Sequence, residues 1–238
     1  MSAFIYSVTL QWKLDLRNKG ILIVYYIVPL IFFALMGTVF TSINPMAKDT
    51  LIQSMSIFAI TMAAIIGAPT PLVELYGSEI KKAYKVGNIP LWMAAVSNFI
   101  SAFVNIFIVS LIIFVVAPIA FGAKLPSNLG LYFATLIILI IASLMIGTAL
   151  GLFVKSISKL TMISQIIFLP ALLLSGIMFP ANMLPKSMVY VGKLFPSSHA
   201  MGIMTNSAPE VSAFLPLIVI IFLLLVINIY KLSKMKIE

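Results

Sequence analysis

The chain has 238 residues, of which 62% are hydrophobic and 9% charged, with a formal net charge of +9 and a mean hydropathy of +1.18. A soluble domain devotes about a quarter of its residues to Asp, Glu, Lys and Arg. Too few charges are present here to wet a globular surface, so soluble enzymes, disordered tails and nucleic-acid modules are excluded despite the basic balance. The absence of cysteine removes disulfide frameworks, thiolate metal sites and cysteine nucleophiles together.

Along the chain, Ile5, Val8, Trp12 and Leu16 recur on one helical face while Gln11, Lys13 and Arg17 point elsewhere. That pattern predicts an interfacial helix over residues 1–20, with Trp12 at headgroup depth. The apolar run that follows is too long for a cleaved leader and no small-x-small cleavage site succeeds it, so it is read as a retained span. Six apolar runs follow in order, 21–40, 51–73, 91–121, 129–154, 160–179 and 211–230. Each is near the ~20 residues that a helix needs to cross about 30 Å of hydrocarbon. The expected fold is therefore all-α, a polytopic membrane protein with six transmembrane helices forming one domain over 1–238. The third run exceeds one crossing and should tilt or extend past the surface.

Within the runs, prolines, glycines and polar side chains stand out. Pro69 and Pro71 at the end of the second run free backbone carbonyls that need a partner other than lipid, so that end should be packed on protein or wet. Pro29 and Pro170 read as helix kinks. Gly147 and Gly151 have the spacing that lets two helix backbones approach closely, either inside one subunit or across a dimer seam. Asn98, Ser101 and Asn105 share one face of the third run. With Gln165 in the fifth they are the candidates for a substrate path; the other reading of the amides is plain interhelical bonding. Gln53, Ser54 and Thr161 are smaller polar marks.

The basic residues fall unevenly on the two sides of these spans. Only Lys48, Lys124, Lys186 and Lys193 lie on one side, and the remaining eleven of fifteen lie on the other. Cytoplasmic segments hold the excess of Lys and Arg. Both termini are therefore expected in the cytoplasm of a multi-pass protein of the cell membrane. The basic rim is suited to anionic lipid heads, at about 1 kcal/mol per side chain near the surface, and nucleic acid is not expected as a partner.

Much chemistry is missing. The acids Asp15, Asp49, Glu74, Glu79, Glu210 and Glu238 all map to ends or loops of the six-run pattern, so no ionisable group is expected at mid-depth and an ion-driven carrier is disfavoured. No Gly-rich loop ending in Gly-Lys-Ser/Thr occurs, which removes nucleotide hydrolysis by that route. His199 is the only histidine and has no ligand cluster beside it in sequence, which points to a structural role. The reading is a transport subunit rather than an enzyme, with no metal or cofactor on this chain. A passive channel or assembly subunit is the reading from another class.

Two connecting segments carry a resemblance. Residues 74–90 mix Glu79, Lys81, Lys82, Tyr84 and Lys85 between Glu74 and Pro90, the composition of a short docking helix on the inner face. Residues 180–209 are broken by Pro180, Pro185 and Pro196 and read as short helices returning into the outer leaflet. Ser175-Gly176, Phe179-Pro180, Leu184-Pro185, Phe195-Pro196 and His199-Ala200 are similar to the outer-loop pattern of ABC-2 type transporter permeases, the membrane half of ATP-driven exporters. The 74–90 segment is similar to that family's coupling stretch, although it lacks arginine and carries its glycine ahead of Glu79. The resemblance spans the whole chain. It implies two cytoplasmic ATPase subunits carrying ATP and Mg, a second permease copy or paralogue, contact with membrane lipids, and coupling through Glu79, Lys81, Lys82, Tyr84, Lys85 and Pro90. It places the outer gate at Ser175, Gly176, Phe179, Pro180, Pro185, Pro196 and His199. Together with the lack of midplane charge, it implies export of a hydrophobic or amphipathic cargo such as a drug, a peptide or a lipid-like compound, with a lipid-linked glycan as the alternative.

Overall fold

The computed structural model describes residues 2–43, 45–77, 90–179, 183–206 and 209–235. Helix α1 (Ser2–Arg17) is separated from α2 (Lys19–Ile43) at Asn18. The Asn18 side-chain oxygen accepts the N–H groups of Gly20 and Ile21 and so starts a new helix in a new direction. Helix α3 (Leu51–Gly77) contains a wider, π-helical turn at Ala63–Gly67, directly before Pro69. Pro69 has no N–H to offer the carbonyl four residues back, and the extra residue in the turn lets the Ala68 N–H reach the Ala63 carbonyl at 2.9 Å. The second span therefore does not end at its prolines, as the sequence suggests, but runs on to Gly77.

Helix α4 (Leu91–Phe121) is one continuous element of 31 residues, about 46 Å long at 1.5 Å per residue. It stops at Gly122, whose φ of 62° is the left-handed conformation that ends helices. Helix α5 (Leu129–Phe153) is capped by Asn128, which accepts the Leu131 N–H at 2.9 Å. Helix α6 (Ile157–Leu173) has 17 residues. It begins before the expected run at 160–179 and ends well short of it, because the chain turns at 174–176, with Gly176 at φ +84°. Two short helices follow, α7 (Lys186–Gly192) and α8 (Pro196–Thr205), and then α9 (Leu215–Met235). Among the described residues, five helices are long and apolar enough to cross a membrane and α6 is a shorter apolar one, in keeping with an all-helical, multi-pass membrane protein.

The spans alternate in direction, so one end of the bundle gathers Lys19, Gly77, Leu91, Phe153 and Met235, and is called the base here. The opposite end is the crown. Helix α3 is the axis, with 89% of its apolar window buried against 11% for α9. It packs on α2, α4, α5, α6 and α8. The two glycines of α5 make this possible within one chain: a Cβ at Gly147 would collide with the Ala64 carbonyl oxygen, and one at Gly151 would lie 2.7 Å from the Leu72 Cβ. At the crown, Lys124 and Asp49 pair at 3.0 Å and the Lys124 N–H bonds the Lys48 carbonyl at 2.9 Å, tying the α2–α3 and α4–α5 connections together.

Gly147→Ala should destabilise the purified chain by about 1–3 kcal/mol through overpacking. Gly202→Ala, where an added methyl meets open space, should leave thermal unfolding in detergent unchanged or slightly improved.

Candidate functional site

The polar face of α4 is buried inside the chain. Asn98, Ser101 and Asn105 are each no more than 2% exposed. The Asn98 amide donates to the Ala68 carbonyl of α3 at 2.9 Å. Asn105 donates to the Ser101 carbonyl at 3.1 Å and accepts from the Tyr26 hydroxyl at 2.8 Å and the Trp12 indole at 3.3 Å. Ser101 donates to Asp15, whose other carboxylate oxygen takes the Gln11 amide at 2.8 Å. Ser7 and Ser97 meet at 2.9 Å. These bonds join α1, α2, α3 and α4 in one seam. Gln165 lies apart from the other three candidates, on an exposed face of α6 with Met162, Ile166 and Leu169.

Asp15 is the participant that the sequence did not reveal. It sits in an end segment, as an acid was expected to, but only 1% of it is exposed. Helix α1 turns Ser7, Gln11 and Asp15 onto α4 and leaves Ile5, Tyr6, Leu10 and Leu14 outward. Burial raises the Asp15 carboxyl from its ordinary value, and the donors on Ser101 and Gln11 offset part of that rise. A signal was present in the sequence: Gln11 and Asp15 are four residues apart and share a face with Ser7.

The proline end of α3 is packed on protein. The Ile65 carbonyl, which Pro69 cannot serve, accepts the Ser164 hydroxyl of α6 at 2.8 Å. Beside it lies a cleft of about 290 Å³ lined by Asn18, Ile21, Thr70, Glu74, Leu160 and Ser164, among others. Tyr25 fills the neighbouring space over Gly67, where an added Cβ would lie 2.5 Å from the ring.

At the base, Glu79, Lys81, Lys82, Tyr84 and Lys85 lie outside the described residues. The two ends of their segment are described. Pro90 is exposed and directly precedes α4. The Tyr76 hydroxyl donates to the Leu91 carbonyl at 2.7 Å, which holds the end of α3 to the start of α4. Tyr76 and Leu91 pack with Leu152 of α5 and Leu232 and Met235 of α9. One apolar clamp thus joins both feet of the 78–89 segment to the ends of two more spans.

At the crown, hydroxyls satisfy the carbonyls that the end of α6 leaves open. Ser175 donates to Leu172 at 3.0 Å, Ser197 to Ala171 at 3.1 Å and Ser198 to Leu174 at 3.3 Å. Helix α8 therefore caps α6. Pro196 is buried at the first turn of α8, Pro185 is exposed ahead of α7, Phe179 is exposed, and Pro180 lies outside the described residues. His199 Nε2 bonds the Lys193 carbonyl at 2.7 Å. A cleft of about 340 Å³ opens here, with Lys193, Ser198, His199 and Glu210 on its wall. Among the described residues, no three His, Cys, Asp or Glu side chains converge as metal ligands would.

A family model described as ABC-2 type transporter matches residues 2–208. No curated protein matches the chain.

Asn105→Leu would leave the Trp12 indole and the Tyr26 hydroxyl without their acceptor. It should cost about 1–3 kcal/mol, read as a lower unfolding temperature in detergent. Ser164→Ala should cost about 1 kcal/mol or more through the stranded Ile65 carbonyl.

Proposed function

We infer the chain's role from one premise: it belongs to the ABC-2 type transporter family. It is the permease, the transport subunit, of an ABC transporter, and a permease of this family works with an ABC ATPase. The finer reading is an exporter that carries a hydrophobic or amphipathic cargo out of the cytoplasm or the inner leaflet. Two ATPase subunits, holding ATP and Mg, would seat beneath the base, against the 74–90 segment. The termini would then lie on the cytoplasmic side.

The observation that carries this reading is the base clamp. A push on the 78–89 segment reaches α3 through Tyr76 and α4 through Leu91, and the same apolar cluster extends to α5 and α9. Because α3 is the buried axis of the bundle, displacement of its base is felt by every helix packed on it. ATP would stabilise one position of the segment relative to another, which is the differential binding that a conformational change requires.

Pairing with a second permease has separate support. Ile23, Ile27, Ile31 and Leu35 form an exposed stripe along α2, and Met162, Ile166, Leu169 and Leu173 form another along α6. Both helices pack on α3, so a copy or paralogue meeting these stripes would enclose a path beside it. The four spans α2, α3, α4 and α5 carry no charged residue deeper than their ends, which suits an apolar or amphipathic cargo better than an ion.

The test is to purify the chain with its partner ABC ATPase and combine Tyr84→Ala with Lys85→Ala. Assembly and ATP turnover should fall by about tenfold, the equivalent of some 1.4 kcal/mol of contact; unchanged assembly and turnover would remove the docking segment. Tyr76→Phe should keep the ATPase bound and lower the cargo moved per ATP.

A further inference from the structure

Asp15 is a buried acid with no cation paired to it among the described residues. Lys13 and Arg17, two residues to either side on α1, are exposed on other faces of the helix. Helix α4 has no charged or titratable residue anywhere along its length. The titratable groups on the remaining neighbour, α2, are Lys19, exposed at its first position, and the phenols of Tyr25 and Tyr26. Tyr25 is close enough for the charge of Asp15 to act on it, and its fully buried hydroxyl has no hydrogen-bond partner among the described residues. A bare carboxylate in such a place is costly, and taking up a proton is the usual escape.

We propose that Asp15 is a proton-binding site: docking of α1 onto α4 takes up one proton from water at the base, and loss of that proton loosens the seam. The proton adds to one carboxylate oxygen. The new O–H donates to the Ser101 hydroxyl or the Gln11 side-chain oxygen, either of which can turn to accept. No other bond changes. The docked carboxyl has a raised affinity for protons, so docking is strongest below the ordinary carboxylate range and is lost as pH rises through the docked value. Because α1 leads through Asn18 directly into α2, release of this seam would free the entry to the first span.

Infrared difference spectra of the full chain in lipid nanodiscs read the site directly. The expected result is a protonated-carboxyl band that titrates above the ordinary carboxylate range and is missing in Asp15→Asn. Ser101→Ala, which removes one donor to the carboxylate, should move that midpoint to higher pH. The native chain has no cysteine, so Ser7→Cys combined with Ser97→Cys gives a unique cross-link across the seam. Its yield, divided by the yield in the same pair with Asp15→Asn to cancel the pH dependence of the thiols, should fall as pH rises. A spectrum without an Asp15 acid band above the ordinary range would overturn the proposal, as would a cross-link that responds to pH alike with and without Asp15.

Discussion

A carbonyl inside a bilayer has no water to bond and must find its donor within the protein, and in α3 that requirement sets the arrangement of the bundle. Pro69 and Pro71 each remove a donor from the middle of the helix. The wider turn at Ala63–Gly67 recovers one bond within the helix and Ser164 reaches in from α6 for the Ile65 carbonyl, while Asn98 of α4 adds a bond to the neighbouring Ala68 carbonyl. The side facing α5 is closed by contact instead, with Gly147 and Gly151 admitting the backbone of α3. An interrupted helix can be used here only because its neighbours complete it, which is why α3 is the most buried span.

The same economy appears at both ends. At the crown the hydroxyls of α8 complete the end of α6. At the base the Tyr76 hydroxyl and the apolar cluster around it hold the two feet of the basic segment together. Both ends are therefore coupled to the axis through a few side-chain bonds and a small apolar cluster. Shifts there pass to whole helices, since closely packed helices have few intermediate arrangements.

The all-helical, multi-pass architecture was legible because charges and apolar runs alternate at the length of a bilayer crossing, and a hydrophobic solvent leaves few other solutions. The shared face of Asn98, Ser101 and Asn105 followed from helical spacing alone. The extension of α3 beyond its prolines was not legible, because proline normally marks a boundary and the compensating Ser164 lies 99 residues away in the chain. The early end of α6 was hidden by apolar residues that continue past the turn at Gly176. Asp15 was hidden for a different reason: hydropathy places an acid near a span end in water, and only the orientation of α1 on α4 turns it inward.

The most direct test of the coupling role is an electron-microscopy map of the chain purified with its ABC ATPase, with and without bound nucleotide. The expected result is ATPase density seated on residues 78–89 at the base, with the ends of α3 and α4 moving together between the two states. An ATPase bound elsewhere, or nucleotide-dependent motion at the base that leaves α3 and α4 where they were, would contradict it.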